Sequence, residues 1–394
     1  MSRIEELIDK LCPDGVEYKE LGKIWDRAPK SKLGVNKINT LGNGNIVCFT
    51  SGNKSYMVDN YLVDGEYIFV NDGGTADFKY NKGKSCYTDH VFAFTIKTID
   101  IKVKFIYYLL LSKQVFVNEL MFQGSGLKNL QKNAFANFSL PIPPIAIQEE
   151  IVRILDKFTE LEAELEAELE ARKKQYEYYR NQLLTPIEIN GKWYLNGKEV
   201  EWKELGEIAF YPKNRISALL VDEDSYIGVD NLLQDRKGKI ISNYVPTKGN
   251  LIEYIKNDIL IGNIRPYLKK IWISNNVGGT NGDVLVIRIK DDYSKIYSPK
   301  FMYFLLASDS FFAYDMQFVK GAKMPRGDKN AILKFKIPVP PLSEQNRIVS
   351  ILDKFDALAN DISIGLPAEI NARKKQYEYY REKLLTFKEK VKNN

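Results

Sequence analysis

Two sets of short, turn-punctuated segments hold the side chains best suited to chemistry on a polyanion. In the first half these are Lys30, Ser31, Lys32, Asn36 and Lys37, then Ser51, Asn53 and Lys54, then Lys79, Asn81, Lys82 and Lys84, then Ser125, Lys128 and Asn129. In the second half they are Lys213, Asn214 and Arg215, then Asn231, Gln234, Arg236 and Lys237, then Arg265, Tyr267, Lys269 and Lys270, then Lys323, Arg326 and Lys329. An Arg fork fits a guanine edge and an Asn or Gln amide fits adenine, whereas Lys mostly positions a phosphate backbone. Any one of these residues also reads as a solvated loop charge, so the set carries more weight than its members. Lys132-Asn133 and Lys329-Asn330 recur in register, as scaffold or as phosphate contacts.

Covalent chemistry finds no comparable support. The single histidine, His90, argues against zinc catalysis with several His ligands and against a His-based triad. Cys12, Cys48 and Cys86 are scattered without a CxxC, which suggests neither a zinc site nor a disulfide framework and makes a reducing cytoplasm the expected location. Gly83-Lys84-Ser85 approaches a phosphate-binding loop, but Phe78 stands where its first glycine belongs. The double prolines continue as PPIA and PPLS, unlike an amino-methyltransferase motif, and Gly73-Gly74 and Gly278-Gly279 read as turn glycines. No nucleotide, S-adenosylmethionine or metal is expected on this chain, and no cofactor of any kind.

Charge is segregated. Across 394 residues the net charge is +6, yet residues 145–171 hold nine acids and two bases, which leaves +13 on the remainder. That balance suggests a polyanionic partner. No apolar run reaches the ~20 residues that span a bilayer, and MSRIEELIDKLCPDG lacks a signal-peptide core, so no membrane association is expected.

The elements that position these segments come as an imperfect duplication. VEYKELGKI (16–24) recurs as VEWKELGEI (200–208), and KFIYYLLLS (104–112) as KFMYFLLAS (300–308). Residues 124–158 align without gaps to 321–355, and ARKKQYEYYR (171–180) is repeated identically at 372–381. Within each copy, β-branched and aromatic runs predict strands: GEYIFV (65–70), HVFAFTI (90–96), KIWIS (270–274) and DVLVIRI (283–289). Turns are expected at NDGG (71–74) and NNVGG (275–279), and the KFIYYLLLS and KFMYFLLAS segments as short core helices.

A Pro-rich hinge then leads into a long helix in each copy, with Ser343 as the expected N-cap of the second. The first apolar stripe runs Ile151, Ile154, Phe158, Leu161, Leu165, Leu169, Arg172, Tyr176, Tyr179, Leu183. The second runs Ile348, Ile351, Phe355, Leu358, Ile362, Leu366, Ile370, Arg373, Tyr377, Tyr380, Leu384. Both are heptad-like with four-residue stutters. Gly365 and Pro367 should kink or break the second helix. Each stripe alone would be exposed, so an antiparallel pairing of the two helices is the natural closure. Tyr176, Tyr179 and Leu183 have core spacing, while Tyr178 points elsewhere and could face a partner.

The blocks PIPPIAIQEEIVRILDKF and PVPPLSEQNRIVSILDKF, each followed by ARKKQYEYYR, resemble the conserved regions of type I restriction-modification DNA specificity subunits. The LEAE run at 161–168 is similar to that family's central spacer, and GLP at 365–367 is where this chain departs from it. The resemblance covers nearly the whole chain. It implies an α/β (α+β) pseudo-repeat with two β-rich target-recognition domains separated by two long antiparallel coiled-coil helices. The expected boundaries are 1–141 and 186–338 for the recognition domains and 142–185 and 339–394 for the spacer helices. It further implies a non-catalytic subunit whose partners are double-stranded DNA, two methyltransferase (modification) subunits and restriction/translocase subunits.

The residues agree independently on one point. The framework repeats, but residues 27–60 show no similarity to 211–250, and two loop sets on one scaffold suit two different half-sites. Three alternatives remain at this stage. One is the recognition subunit of a type II system with a fused methylase-nuclease partner. The others are a coiled-coil assembly protein that binds no DNA, and an enzyme.

Overall fold

The structure, a computed structural model, describes residues 3–360 and 365–390. Two compact units make up the chain: Met1–Leu165 with Ile370–Asn394, and Glu166–Glu369.

In the first unit Trp25–Arg27, Val91–Ile96, Glu66–Asn71 and Phe78–Lys82 form an antiparallel sheet in that spatial order. Successive side chains on a strand face opposite ways. Ile68 and Val70 enter the main core with Phe94, Leu109 and Phe135, while Phe69 joins Phe49, Tyr87 and Ala93 on the other face. Both faces are covered, which is why the strand reads as an unbroken apolar run instead of alternating. The helix Val103–Ser112 covers the main-core face through Phe105, Ile106, Leu109 and Leu110. A smaller sheet of Ser55–Val58, Ile46–Phe49 and Ser85–Tyr87 ends in a parallel pair. That register sets Cys48 beside Cys86, so two cysteines scattered in sequence are neighbours, both as free thiols.

The second unit repeats this plan. Ala209–Phe210, Val284–Ile289, Ile259–Gly262 and Ile271–Ile273 form the four-stranded sheet in the same order. Ile259 and Ile261 face the core with Phe301 and Phe311, and Leu260 faces Ile227, Tyr254 and Val286. The smaller sheet is Arg215–Ser217, Asn250–Tyr254, Gly278–Thr280 and Tyr226–Ile227, again ending in a parallel pair. Each unit also pairs its VEYKE or VEWKE strand with the strand before its hinge, Glu17–Glu20 with Ser139–Ile142 and Glu201–Glu204 with Lys336–Val339. All four expected strand segments and both short core helices are present.

Two local expectations fail. Gly278 and Gly279 are not turn residues but begin the strand Gly278–Thr280. A Cβ on Gly278 would lie 2.0 Å from the Ser225 carbonyl oxygen, so glycine is there to admit the neighbouring backbone. Ser343 is not an N-cap, because the helix Leu342–Asn360 starts one residue earlier. The Glu344 and Gln345 amides donate to the Pro341 carbonyl, and the fully buried Gln345 side chain ties down the hinge instead. Its amide nitrogen donates to the Pro340 and Ile296 carbonyls and its oxygen accepts from the Ser298 amide. Gln148 does the same in the first unit with Pro143, Asp100 and Lys102.

The first long helix is continuous over Ile145–Leu184, 40 residues. The second comprises Leu342–Asn360 and Leu366–Leu384, 19 residues each. Pro367 sits in the first turn of the latter, where a missing N–H costs nothing, and Gly365 precedes it as a bend. Ile362 lies outside the described residues. Ile151 and Ile348 are fully buried. Ile154, Phe158, Leu165, Leu169 and Ile351, Phe355 are half-buried, and Leu161 and Leu358 are exposed. A second stripe, Ile147, Ile151 and Leu155, with Ile348 and Leu352 in the other copy, enters the core of each unit, and of these Ile147, Leu155 and Leu352 are absent from the heptad reading. Each helix therefore has one face for its domain and another for its partner helix.

Candidate nucleic-acid interface

In the first unit Lys30 and Lys32 lie on the exposed segment that leads into the 3-10 turn Val35–Leu41, which contains Lys37. That segment packs on the smaller sheet through Leu33, Ile38 and Leu41. Lys54 lies just before the strand Ser55–Val58, and Lys82 and Lys84 flank the turn at Gly83. Lys30, Lys32, Lys37, Lys54 and Lys84 thus lie on segments that pack on or adjoin the strands of the smaller sheet, while Lys82 ends the strand Phe78–Lys82 of the main sheet. Lys82 pairs with Glu66 at 3.0 Å, and the Lys84 ammonium sits 4.7 Å from the centre of the Tyr61 ring. Lys128 is elsewhere, on an exposed loop hydrogen-bonded to residues 72–74.

In the second unit the corresponding surface is concave. A cleft of about 750 Å³ is lined by Asn231, Gln234, Tyr244, Arg265, Lys270 and Asn281, among others. Of the cations singled out by sequence, Arg265 and Lys270 line it; Lys213, Arg215 and Lys237 are exposed outside its lining. Lys270 donates to the Val229 carbonyl at 2.7 Å. Arg326 pairs with Asp283 at 3.3 Å and, with Lys329, borders a second hollow of about 540 Å³. Lys323 is exposed on the loop between Gly321 and Pro325. Arg236 and Lys269 both pair with Asp309, the latter at 2.7 Å.

The two loops that reach the cleft through Gln234, Arg265 and Leu268 have unusual backbone. Asp235, Arg236, Arg265 and Lys269 all have φ between 51° and 63°. Every other non-glycine residue of positive φ among the described residues is an asparagine. Left-handed geometry costs a non-glycine residue roughly 1–3 kcal/mol, and such positions gather where structure serves recognition. The two loops hold each other: the Asp235 amide donates to the Leu268 carbonyl and the Arg236 amide to that of Lys269, both at 3.0 Å. Gln234, Asn243 and Arg265 are exposed side chains of this lining able to make paired contacts to a base edge, whereas the Asn231 and Asn281 oxygens already accept from the Gly228 and Asp283 amides. Sequence reading missed Tyr244, Asn281 and Asp309. The first two lie in irregular or strand-edge segments with no motif, and Asp309 is an acid among candidates chosen for positive charge.

Both halves match one family model, the type I restriction modification DNA specificity domain, over residues 13–171 and 196–372. The chain belongs to the type I restriction-modification DNA specificity family. The role of this family is DNA specificity, not catalysis. Among its members, the Escherichia coli type I restriction enzyme EcoR124I/EcoR124II specificity subunit is 33% identical over 279 residues, which is 64% of each chain. A putative type I restriction enzyme specificity subunit of Haemophilus influenzae is 31% identical over 94% of this chain and 96% of its own length. The fold is that of the type I restriction-modification S subunit from M. genitalium, with a TM-score of 0.60 at 16% identity over 94% of this chain and 96% of the other. Among the described residues no helix is long and apolar enough to cross a membrane.

Proposed function

We propose that this chain reads an asymmetric, bipartite DNA site, one half per recognition domain, and docks two methyltransferase subunits and the restriction subunits that act there. The observation that carries this is the pairing of one sheet order, present in both units, with two unrelated loop sets. Two surfaces built on a common framework but unlike in residues 27–60 and 211–250 suit two different half-sites. The modules are residues 1–141 and 186–338 for recognition, and 142–185 and 339–394 for spacing and docking. In the first domain Lys30, Lys32, Lys37, Lys54, Lys82, Lys84 and Lys128 hold the DNA backbone. In the second, Lys213, Arg215, Lys237, Lys323 and Arg326 do so, while Arg265 reads a base edge over the cleft. The chain supplies specificity and its partners supply the chemistry, so the purified chain alone neither methylates nor cleaves. Exchanging residues 27–137 for those of another member on the same framework tests the reading. Genome-wide mapping of methylated bases should then show one half-site changed and the other kept; both changing together would refute it.

A further inference from the structure

Asp309 collects three cations from three separate parts of the second unit. Its carboxylate pairs with Arg180 from the end of the first long helix at 3.5 Å, with Lys269 at 2.7 Å, and with Arg236. Arg180 is only 3% exposed and Arg236 15%, and the Nε atoms of both are buried without a hydrogen-bond partner. Buried guanidinium groups need a counter-charge, and here one carboxylate serves both. Asp309 is itself fixed. It is the first residue of the helix Asp309–Gln317, whose N-cap Ser308 accepts from the Phe311 amide, and an acid is favoured at that end. Burial pushes its pKa up, but Lys269, Arg236 and Arg180 together hold it below the usual carboxylate range, so it stays charged.

The two loops that Asp309 grips are the left-handed ones that pair with each other and wall the cleft through Gln234, Arg265 and Leu268. Each of those backbone conformations is unfavourable alone and needs an outside restraint. The first unit lacks the device: after the shared helix block KFIYYLLLS, the position of Asp309 is taken by Lys113.

We propose that Asp309 is a positioning residue for the second half-site. It clamps loops 234–238 and 265–269 so that Gln234 and Arg265 face the DNA, and it withholds Arg236 and Lys269 from the phosphates. This rests on the DNA-reading function proposed above. Arg236 and Lys269 are thus structural cations of the reading head. Without the clamp, their charge becomes available to any duplex while base discrimination falls.

The test uses the full chain co-expressed with its methyltransferase partner, as wild type, Asp309→Asn, Asp309→Glu and Lys269→Met. Two probes are used: a random-sequence duplex in a salt titration, and a randomised duplex library for selection. Asp309→Asn should bind the random duplex more tightly and steepen its salt dependence, by about 0.9 in log–log slope for each cation released. It should also relax selection at one half-site by about tenfold and leave the other half intact, with Asp309→Glu restoring both properties. Lys269→Met should relax the same half-site without lowering the salt slope, whereas a direct phosphate contact would lower it. Thermal unfolding of each variant separates the clamp from a merely structural role, in which Asp309→Asn melts earlier and loses affinity with no steeper slope. An unchanged slope and unchanged selection in folded Asp309→Asn overturns the clamp while wild-type selection stands. A wild type that enriches no sequence overturns the DNA-reading function and the clamp with it.

Discussion

Phe158 stacks on Tyr380, ring centres 5.6 Å apart and planes 27° apart. Its duplicate, Phe355, stacks on Tyr179 at 5.5 Å and 26°. In each unit the phenylalanine of one LDKF block meets a tyrosine of the other copy's QYEYYR block. The antiparallel sense is fixed in the first unit by a second contact, Lys374 with Glu162 at 3.2 Å, which lies farther on in the first helix and farther back in the second. The repeated sequence thus closes each unit by exchange, helix residues 166–184 going to one unit and 370–384 to the other.

If this stacking is the local glue, a double-mutant cycle on Phe158→Ala and Tyr380→Ala should give a coupling of about 0.5–1.5 kcal/mol. Phe355→Ala with Tyr179→Ala should give a similar value. Phe158→Ala with Tyr179→Ala, which join residues of different units, should be additive within ~0.5 kcal/mol. Chemical denaturation of the three sets checks this.

The hinge glutamines should be more costly than their single side chains suggest. Gln148→Leu keeps much of the volume but leaves the Asp100 and Pro143 carbonyls and the Lys102 amide without that partner. Each buried unsatisfied group costs about 1–3 kcal/mol. Gln345→Leu should cost the same in the second unit, through Ile296, Pro340 and Ser298. A loss under ~1 kcal/mol in urea unfolding would show that the hinge is held by its prolines.

Asp315 predicts a pH dependence. Burial, and secondarily the nearby Asp328 charge, raise its pKa from an ordinary 3.8 to about 6. Its Oδ1 is buried without a partner, as is Asn263 Oδ1. A raised acid favours the proton-bound folded state, so the stability it allows is present below pH ~4 and is lost as pH rises through 6. The penalty at neutral pH is on the order of 3 kcal/mol at 1.36 kcal/mol per pH unit. Asp315→Asn should therefore stabilise the protein at pH 8 and matter little at pH 4. Melting temperatures of both proteins across that range decide it; equal differences at both ends would exclude ionisation of Asp315 as the cause.

The continuous helix predicts a ruler. Deleting Leu165–Glu168 removes one turn, roughly 6 Å, from Ile145–Leu184 and keeps the apolar stripe in phase. Under the proposed function the preferred gap between half-sites should shorten by about one or two base pairs, since the duplex rises ~3.4 Å per pair. Methylation of a library with every gap length reads this directly. A fixed gap with surviving activity would make the helices a tether.

What the sequence determined by itself was what repeats or has a period. Collinear blocks such as ARKKQYEYYR revealed the duplication, 3–4 spacing revealed the Phe158 and Tyr377 stripe, and unbroken runs such as VFAF revealed strands. Such signals are local, because a helix or strand imposes its own spacing on the residues it buries. The tertiary structure decided what depends on distant neighbours. The second stripe through Leu155 and Leu352 follows from docking against a domain, which no heptad encodes. Gly278 resembles a turn glycine until the Ser225 backbone is seen against it. Arg180, Arg236, Lys269 and Asp309 span 130 residues, and three of them stand on loops or helix ends without periodicity. Sequence shows the sign of each charge, but only folding decides whether a cation meets an acid of its own chain or remains free for a phosphate.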